Sequence, residues 1–252
     1  MVNCNKINMG DLLEKYNQAN NRLILLDYDG TLVDFKRVPE EAVPSIELLD
    51  ILRKLSSKRN TKLIIISGRN QKEIEKFVGE LPIDIIAEHG ALLKKQGEWE
   101  KLKIDIRQWK EPVLAILNES TMSCPGSFIE EKNFSLAWHY RNAETGYDQS
   151  RKLLNRLYGM SSSFHCKILD GNKVVEIADD EIGKGKATKD IIEHDDYDFI
   201  LSIGDDQTDE EMFEFLLNHP EAITVKVGEG NTKAKYQLEN VDSVVKLLKR
   251  LL

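Results

Sequence analysis

Cysteine is scarce in this chain. Cys4, Cys124 and Cys166 are the three copies, far apart and odd in number. With no CxxC pair, neither a disulfide framework nor a zinc site is expected, and a reducing cytoplasm is the simplest setting. No segment approaches the ~20 apolar residues that a membrane span requires. The opening stretch MVNCNKINMGDLLEKY lacks the apolar centre of a signal peptide, so no leader is expected. Positive charge is not concentrated anywhere: 35 Lys and Arg stand against 43 Asp and Glu, for a net charge of −8 with both signs mixed. Without a basic stripe, a nucleic-acid partner is not expected. An acidic chain that handles an anion needs a local cation or a few well-placed Lys and Arg residues. There is also no internal repeat and no low-complexity tract. What remains is 252 residues, 41% of them hydrophobic, enough for one large domain or a core with an insert.

The stretch Leu23 to Leu32, LILLDYDGTL, organises the reading. A short apolar run bounded by turn residues suits a fully buried strand of a parallel sheet. Such sheets place their chemistry just past the carboxyl ends of the strands. Residues i and i+2 of an extended chain point the same way, so Asp27 and Asp29 are delivered to one crevice, and Gly30 lets the backbone turn away. Two close carboxylates repel unless a cation lies between them, and oxygen ligands suit Mg²⁺. An Asp-Gly turn alone would be commonplace; DxDGT directly after LILL is not.

Around this strand the pattern predicts a helix over residues 11–20, a helix over Ser45 to Leu55, a strand over Thr61 to Ile66, a helix over QKEIEKFVGEL and a strand over Ile83 to Ala87. The character then changes. ALLKKQGEWEKL reads as a hairpin turning at Gly97, Ile106 to Asn118 as a helix, SFIEEKNFSLAWHYR as one or two strands and Ala143 to Tyr158 as a helix. Phe164 to Leu169 and Lys173 to Ile177 read as a hairpin turning at Asp170-Gly171. Alternation returns with a helix within Ile182 to Asp195, strand Asp198 to Ile203, helix Thr208 to Leu217, strand Ala222 to Val227 and closing helix Val241 to Leu252. The expected fold class is α/β, a parallel sheet with helices on both faces, with a smaller α+β domain inserted after the third core strand. The boundaries are set at 1–91 and 173–252 for the core and 92–172 for the insert.

Four strand ends carry polar signatures: DYD, SGR, KGKA and GDDQTDE. Ser67, after LIII, can donate its hydroxyl to a phosphoryl oxygen, although an ordinary Ser-Gly turn explains SGR alone equally well. Lys184, between Gly183 and Gly185, can neutralise phosphate charge as a point donor, or can be a solvated lysine in a turn. In GDDQTDE, Asp205, Asp206, Asp209 and Glu210 put four acids within six positions after an apolar strand. A helix N-cap with an acidic first turn, served by Thr208 or Asp209, accounts for some of them. It leaves two adjacent carboxylates at a buried strand end, which a divalent metal explains.

These segments, in this order, resemble the four motifs of haloacid-dehalogenase-like phosphotransferases, over roughly residues 22–90 and 175–230. The resemblance implies a Rossmann-like core bearing a cap. It implies Asp27 as nucleophile forming an aspartyl-phosphate, and Asp29 as general acid and then base, its backbone carbonyl also a metal ligand. Asp205 would hold Mg²⁺ with Asp27, Asp206 and Asp209 would support the metal, and Ser67 and Lys184 would hold the phosphoryl oxygens.

Further stretches narrow the resemblance. Glu88-His89-Gly90, the run E-x-K-x-x-S-L-A-x-H-Y-R from Glu130 to Arg141, the following V-V-E-I with Glu176, and GDDxTDE are together similar to trehalose-6-phosphate phosphatases. That likeness implies Glu130, Lys132, Arg141 and Glu176 as binders of sugar hydroxyls. Without it they read as a cross-strand charge ladder. His139, between Trp138 and Tyr140, is expected to pack, and His89 to shape the cleft. The resemblance implies trehalose 6-phosphate as substrate, in the last step of trehalose biosynthesis. The same chemistry on sucrose phosphate, mannosyl-phosphoglycerate or a hexose phosphate, a phosphomutase, and a silent sugar-phosphate sensor stay open. Some family chains carry a fused glycosyltransferase; this chain is too short for one, so any synthase partner is expected to be separate.

Overall fold

The computed structural model describes residues 5–101, 107–164 and 166–252. Cys4, Ile106 and residue 165 of the expected helices and hairpin lie outside them. The chain forms two compact units, Met1–Lys101 with Gly183–Leu252, and Leu102–Ile182. Among the described residues no helix is long and apolar enough to cross a membrane.

The first unit begins with β1 (Asn5–Lys6) and α1 (Met9–Gln18). It alternates through β2 (Arg22–Leu26), α2 (Ile46–Ser56), β3 (Thr61–Ile66), α3 (Gln71–Val78) and β4 (Asp84–Ala87), and then adds the hairpin β5 (Leu92–Lys95) and β6 (Glu98–Lys101). The second unit contributes α4 (Arg107–Met122), β7 (Phe128–Glu131), β8 (Ser135–His139), α5 (Gly146–Phe164), β9 (Cys166–Gly171) and β10 (Val174–Asp179). The first unit resumes with α6 (Lys184–His194), β11 (Phe199–Gly204), α7 (Asp209–Leu216), β12 (Ala222–Val227), β13 (Tyr236–Leu238) and α8 (Val241–Arg250).

All nine strands of the first unit share one sheet, ordered β1-β13-β12-β11-β2-β3-β4-β5-β6. Pairing is parallel from β1 to β4 and antiparallel at β5 and β6. Leu23, Ile24, Leu25 and Leu26 of the central β2 are completely buried, which explains the unbroken apolar run that marked this strand. Local signals start the flanking helices. Ser45 Oγ accepts from Leu48 N at 3.1 Å to cap α2, and Asn70 Oδ1 accepts from Glu73 N at 3.0 Å to cap α3. Leu48, Ile51, Leu52 and Leu55 then form the buried stripe of α2.

The second unit is a four-stranded antiparallel sheet, ordered β7-β8-β10-β9, with two helices. Strand alternation divides its residues. Leu136, Trp138, Val175 and Ile177 join Trp109, Val113, Leu117, Leu153 and Leu157 of α4 and α5 in one buried cluster. Trp138 Nε1 donates to Thr121 Oγ1 at 3.0 Å, so its one polar atom is satisfied. Glu130, Ala137 and Glu176 stand opposite one another across β7, β8 and β10, on the face turned away from that cluster.

Two expected boundaries move. The hairpin placed in the insert, β5–β6, extends the core sheet instead, with Ile86 opposite Leu93 and Ala87 opposite Leu92. It covers the edge that β4 would otherwise leave unpaired. At the other end the hairpin turns at Asn172-Lys173, not Asp170-Gly171. Gly171 and Asp170 pair with Val174 and Val175, Lys173 adopts a left-handed φ of 63°, and the Asp170 carboxylate is held by Arg151 at 2.7 Å. A boundary at residue 172 would cut this hairpin, and β10 belongs with β8 and β9. The strands β1 and β13, two and three residues long, show no period long enough to be foreseen.

Candidate active site

From β2 the chain proceeds through β3 to β4 in one direction, and later through β11 to β12 and β13 in the other. The reversal lies between β2 and β11, the position where open α/β sheets bind ligands. The two strands are in register, Leu26 opposite Ile203, and Asp27 N donates to Ile203 O at 3.0 Å. Asp27 is thereby brought level with Gly204, and Asp205 follows at the same end of the sheet. This register, which no local pattern reveals, joins two motifs about 180 positions apart in the sequence.

Lys184 opens α6 and is completely buried. Its Nζ donates to Asp27 Oδ1 and to Asp209 Oδ1, each at 2.8 Å. The second Asp209 oxygen, Oδ2, accepts from Asp205 N at 2.8 Å and Asp206 N at 3.0 Å, which fixes the loop entering α7. The helix start expected of Thr208 or Asp209 is secured by Asp206, whose Oδ1 accepts from Thr208 N at 2.8 Å and Asp209 N at 3.2 Å.

Asp27, Asp205 and Asp209 each offer an oxygen within 4.8 Å of the others. Asp27 Oδ2 and Asp205 Oδ1 are buried and find no hydrogen-bond partner among the described residues. Three converging carboxylates, with Asp206 beside them, oppose the one ammonium of Lys184. Burial first, then repulsion from Asp27, Asp206 and Asp209, pushes the Asp205 carboxyl up to about 9. Burial also raises Asp27 and Asp209 despite the opposing pull of Lys184. Burial would raise Asp206 too, but Lys184, the Thr208 hydrogen bond and His89 bring it to about 2. Lys184 is held well above its usual value: burial opposes its charge, and Asp209 and Asp27 outweigh that cost. Negative charge in excess, with unpartnered carboxylate oxygens and all-oxygen donors, fits a divalent cation. Gly30, at φ +81°, lets the Asp205 carboxylate lie against the backbone; a Cβ there would overlap that carboxylate and come within 2.6 Å of Phe35 Cε2.

Asp29 has a different partner. Arg69 Nε and Nη2 donate to its two oxygens, each at 2.7 Å, a bidentate pair. The guanidinium is buried over the stacked rings of Tyr28 and Phe77 and also donates to Pro39 O at 2.8 Å. Sequence reasoning stopped at Ser67 and passed over Arg69, two positions further in the same SGR turn. Ser67 itself is buried at the end of β3, and its Oγ accepts from Arg69 N at 3.1 Å.

In the second unit, Lys132 Nζ donates to Glu176 Oε1 at 2.9 Å, and Ser135 Oγ donates to the same oxygen at 2.6 Å. His139 Nε2 pairs with Glu130 Oε2 at 2.9 Å and its ring stacks on Phe128 at 4.7 Å. Burial raises the Glu130 carboxyl, but the His139 hydrogen bond and Lys132 together leave it below the usual range. Arg141 donates to Asn172 O at 2.8 Å, at the turn between β9 and β10. Thus Glu130, Lys132 and Glu176 gather on one polar face, and Arg141 is anchored at the adjoining hairpin turn.

A doubly wound sheet that ends its central strands in Asp27 and Asp205, with a buried lysine bonded to Asp27 and Asp209 and a separate α+β unit inserted in sequence, defines a haloacid-dehalogenase-like hydrolase fold. The trehalose-phosphatase profile matches residues 25–242, and the chain belongs to that family. It is 39% identical over 98% of its length to a Dictyostelium discoideum alpha,alpha-trehalose-phosphate synthase [UDP-forming] B, covering 32% of that protein. It is 36% identical over 82% of its length to the trehalose-phosphatase of Saccharomyces cerevisiae, covering 26% of it. The chain spans about a third or less of these curated relatives. The solved C-terminal domain of Candida albicans trehalose-6-phosphate phosphatase matches with a TM-score of 0.92 and 33% identity, over 98% of this chain and 97% of that one.

Proposed function

We propose that the chain is a Mg²⁺-dependent phosphatase that hydrolyses trehalose 6-phosphate to trehalose and phosphate, the last step of trehalose biosynthesis. The observation that carries this is the convergence of Asp27, Asp205 and Asp209 on one another, with Lys184 bonded to Asp27 and Asp209, in a chain of the trehalose-phosphatase family. A carboxylate oxygen of Asp27 attacks phosphorus, and the bond from phosphorus to the sugar oxygen breaks. Asp29, still oriented by Arg69 through one oxygen and protonated at the other, gives that proton to the leaving oxygen. Water then attacks the aspartyl-phosphate, Asp29 takes the proton, and the Asp27 carboxylate is restored. Lys184 and Ser67 hold the phosphoryl oxygens as charge develops. Asp27, the Asp29 backbone carbonyl and Asp205 would hold Mg²⁺, supported by Asp206 and Asp209, and the ion would supply Lewis-acid stabilisation of the phosphoryl charge.

Glu130, Lys132, Arg141 and Glu176 read the sugar hydroxyls. A site whose polar groups are matched to hydroxyls rejects analogues lacking them, because buried partners are then left unpaired. The cytoplasm is the expected setting, consistent with the free thiols of Cys124 and Cys166. A trehalose-6-phosphate synthase is the proposed supplier of substrate, since relatives about three times as long as this chain are named as synthases or as bifunctional synthase/phosphatase. The retained set Asp27, Asp29, Lys184 and Asp205 favours turnover over a silent sensor. The test is phosphate release from a panel of sugar phosphates with Mg²⁺ or a chelator. Release from trehalose 6-phosphate well above sucrose, mannosyl and hexose phosphates supports the assignment; binding without release rejects it.

A further inference from the structure

The turn that follows β4, Glu88-His89-Gly90, supplies no group to the proposed steps, yet its backbone is unusual. Glu88 and His89 both lie in the left-handed region, at φ 49° and 57°, which side chains avoid unless the surroundings impose it. Both residues are buried. Their amides are laced to the SGR turn: Glu88 N donates to Arg69 O and His89 N to Ser67 O, each at 3.0 Å. The His89 ring occupies the space beside Gly68, where a Cβ would overlap its Nε2 and Cε1 atoms. Gly90, at φ +124°, lies against Gly183, the residue before Lys184; a Cβ on Gly90 would come within 2.9 Å of Gly183 O and 3.3 Å of the Ala187 side chain.

One strained turn therefore touches both elements that are to grip the phosphoryl group. We infer that Glu88-His89-Gly90 is a positioning turn that sets the Ser67 loop and the start of α6 at their working separation, with the His89 ring as the spacer against Gly68. His89 acts here through its shape and place, and no proton passes through it. This rests on the reading of Ser67 and Lys184 as phosphoryl-binding groups. A static error of the order of 1 Å in such a pair is costly: misplacement on that scale lowers turnover about 100-fold.

The test is a double-mutant cycle of Gly68→Ala and His89→Ala. Turnover is read on trehalose 6-phosphate and on p-nitrophenyl phosphate, and calorimetry reads the affinity for inorganic phosphate with Mg²⁺ present. Gly68→Ala alone is expected to lower kcat and phosphate affinity by about 100-fold. Removing the ring as well is expected to restore both to within about threefold of His89→Ala alone, a coupling that independent sites do not show. A double variant as impaired as the product of the two singles overturns the inference, as does His89→Ala costing more than Gly68→Ala. Should Gly68→Ala not fold, Gly90→Ala takes its place. It is expected to lower kcat and phosphate affinity with little change in KM for the sugar phosphate, and wild-type values for both overturn the inference. If the wild type hydrolyses the aryl ester and not trehalose 6-phosphate, the substrate assignment fails while the cycle is read on the aryl ester. If it hydrolyses neither, the same cycle is read in phosphate affinity.

Discussion

The two units carry charged clusters of opposite design. At the ends of β2 and β11, carboxylates crowd a single lysine, and two of their buried oxygens have no partner among the described residues. On the polar face of β7, β8 and β10, each acid has a matched donor: Glu176 takes Lys132 and Ser135, and Glu130 takes His139. The unbalanced cluster stores electrostatic repulsion that a bound cation would relieve. The balanced one holds its side chains in fixed positions, and under the proposed function it would exchange those hydrogen bonds with a neutral polyol. Imbalance suits bond making and breaking; balance suits recognition.

Substitutions in the two clusters should consequently fail in different ways. The largest effect belongs to Asp27→Asn, which should keep the fold by circular dichroism and lower phosphate release by about 10⁴-fold or more on every substrate. Lys184→Ala should follow. It leaves buried carboxylates uncompensated, at a cost of about 3–5 kcal/mol in stability, and thermal melts should recover part of that loss on adding Mg²⁺. Arg69→Gln removes the guanidinium that orients Asp29, so release from trehalose 6-phosphate should drop by about 100-fold, within the span of general acid–base contributions. An aryl phosphate, whose leaving group needs no proton, should lose much less. Lys132→Met should raise KM for trehalose 6-phosphate and lower kcat/KM about 10- to 100-fold, the worth of a charged hydrogen bond, and leave the aryl phosphate nearly untouched. Equal losses on both substrates would erase the distinction between the two clusters.

A smaller effect concerns pH. Asp205, raised to about 9, keeps its proton in the folded, metal-free chain at pH values where the unfolded chain has released it. Between about pH 4 and 9 the folded state binds more protons, so metal-free stability should fall as pH rises through that window. Saturating Mg²⁺ should flatten the slope of melting temperature against pH, because the ion replaces the proton as counter-charge.

The parts legible in the sequence were those where local pattern and chemistry conflict. An apolar strand that ends in DYD or GDD buries acids without evident partners, and the structure brings Asp27 and Asp205 of these two motifs together. The core order of strands and helices followed from periodicity. What stayed hidden was long-range. The hairpin β5–β6 announces its own turn at Gly97, but nothing in it says which sheet edge it joins. The loop at Asn172-Lys173 was displaced by the stronger turn signal of Asp170-Gly171, which Arg151 and the strand pairing override. Arg69 was passed over because its role depends on Asp29, forty positions away in sequence. Asp206 looked like a metal supporter, and its Oδ1 also proves to brace the start of α7.

The most direct measurement is phosphate release from trehalose 6-phosphate by the wild type and Asp27→Asn, each with Mg²⁺ and with excess chelator. Turnover by the wild type with Mg²⁺ and by none of the other three is the predicted result. Sustained release from Asp27→Asn, or undiminished release under chelation, would contradict the role of the aspartate cluster.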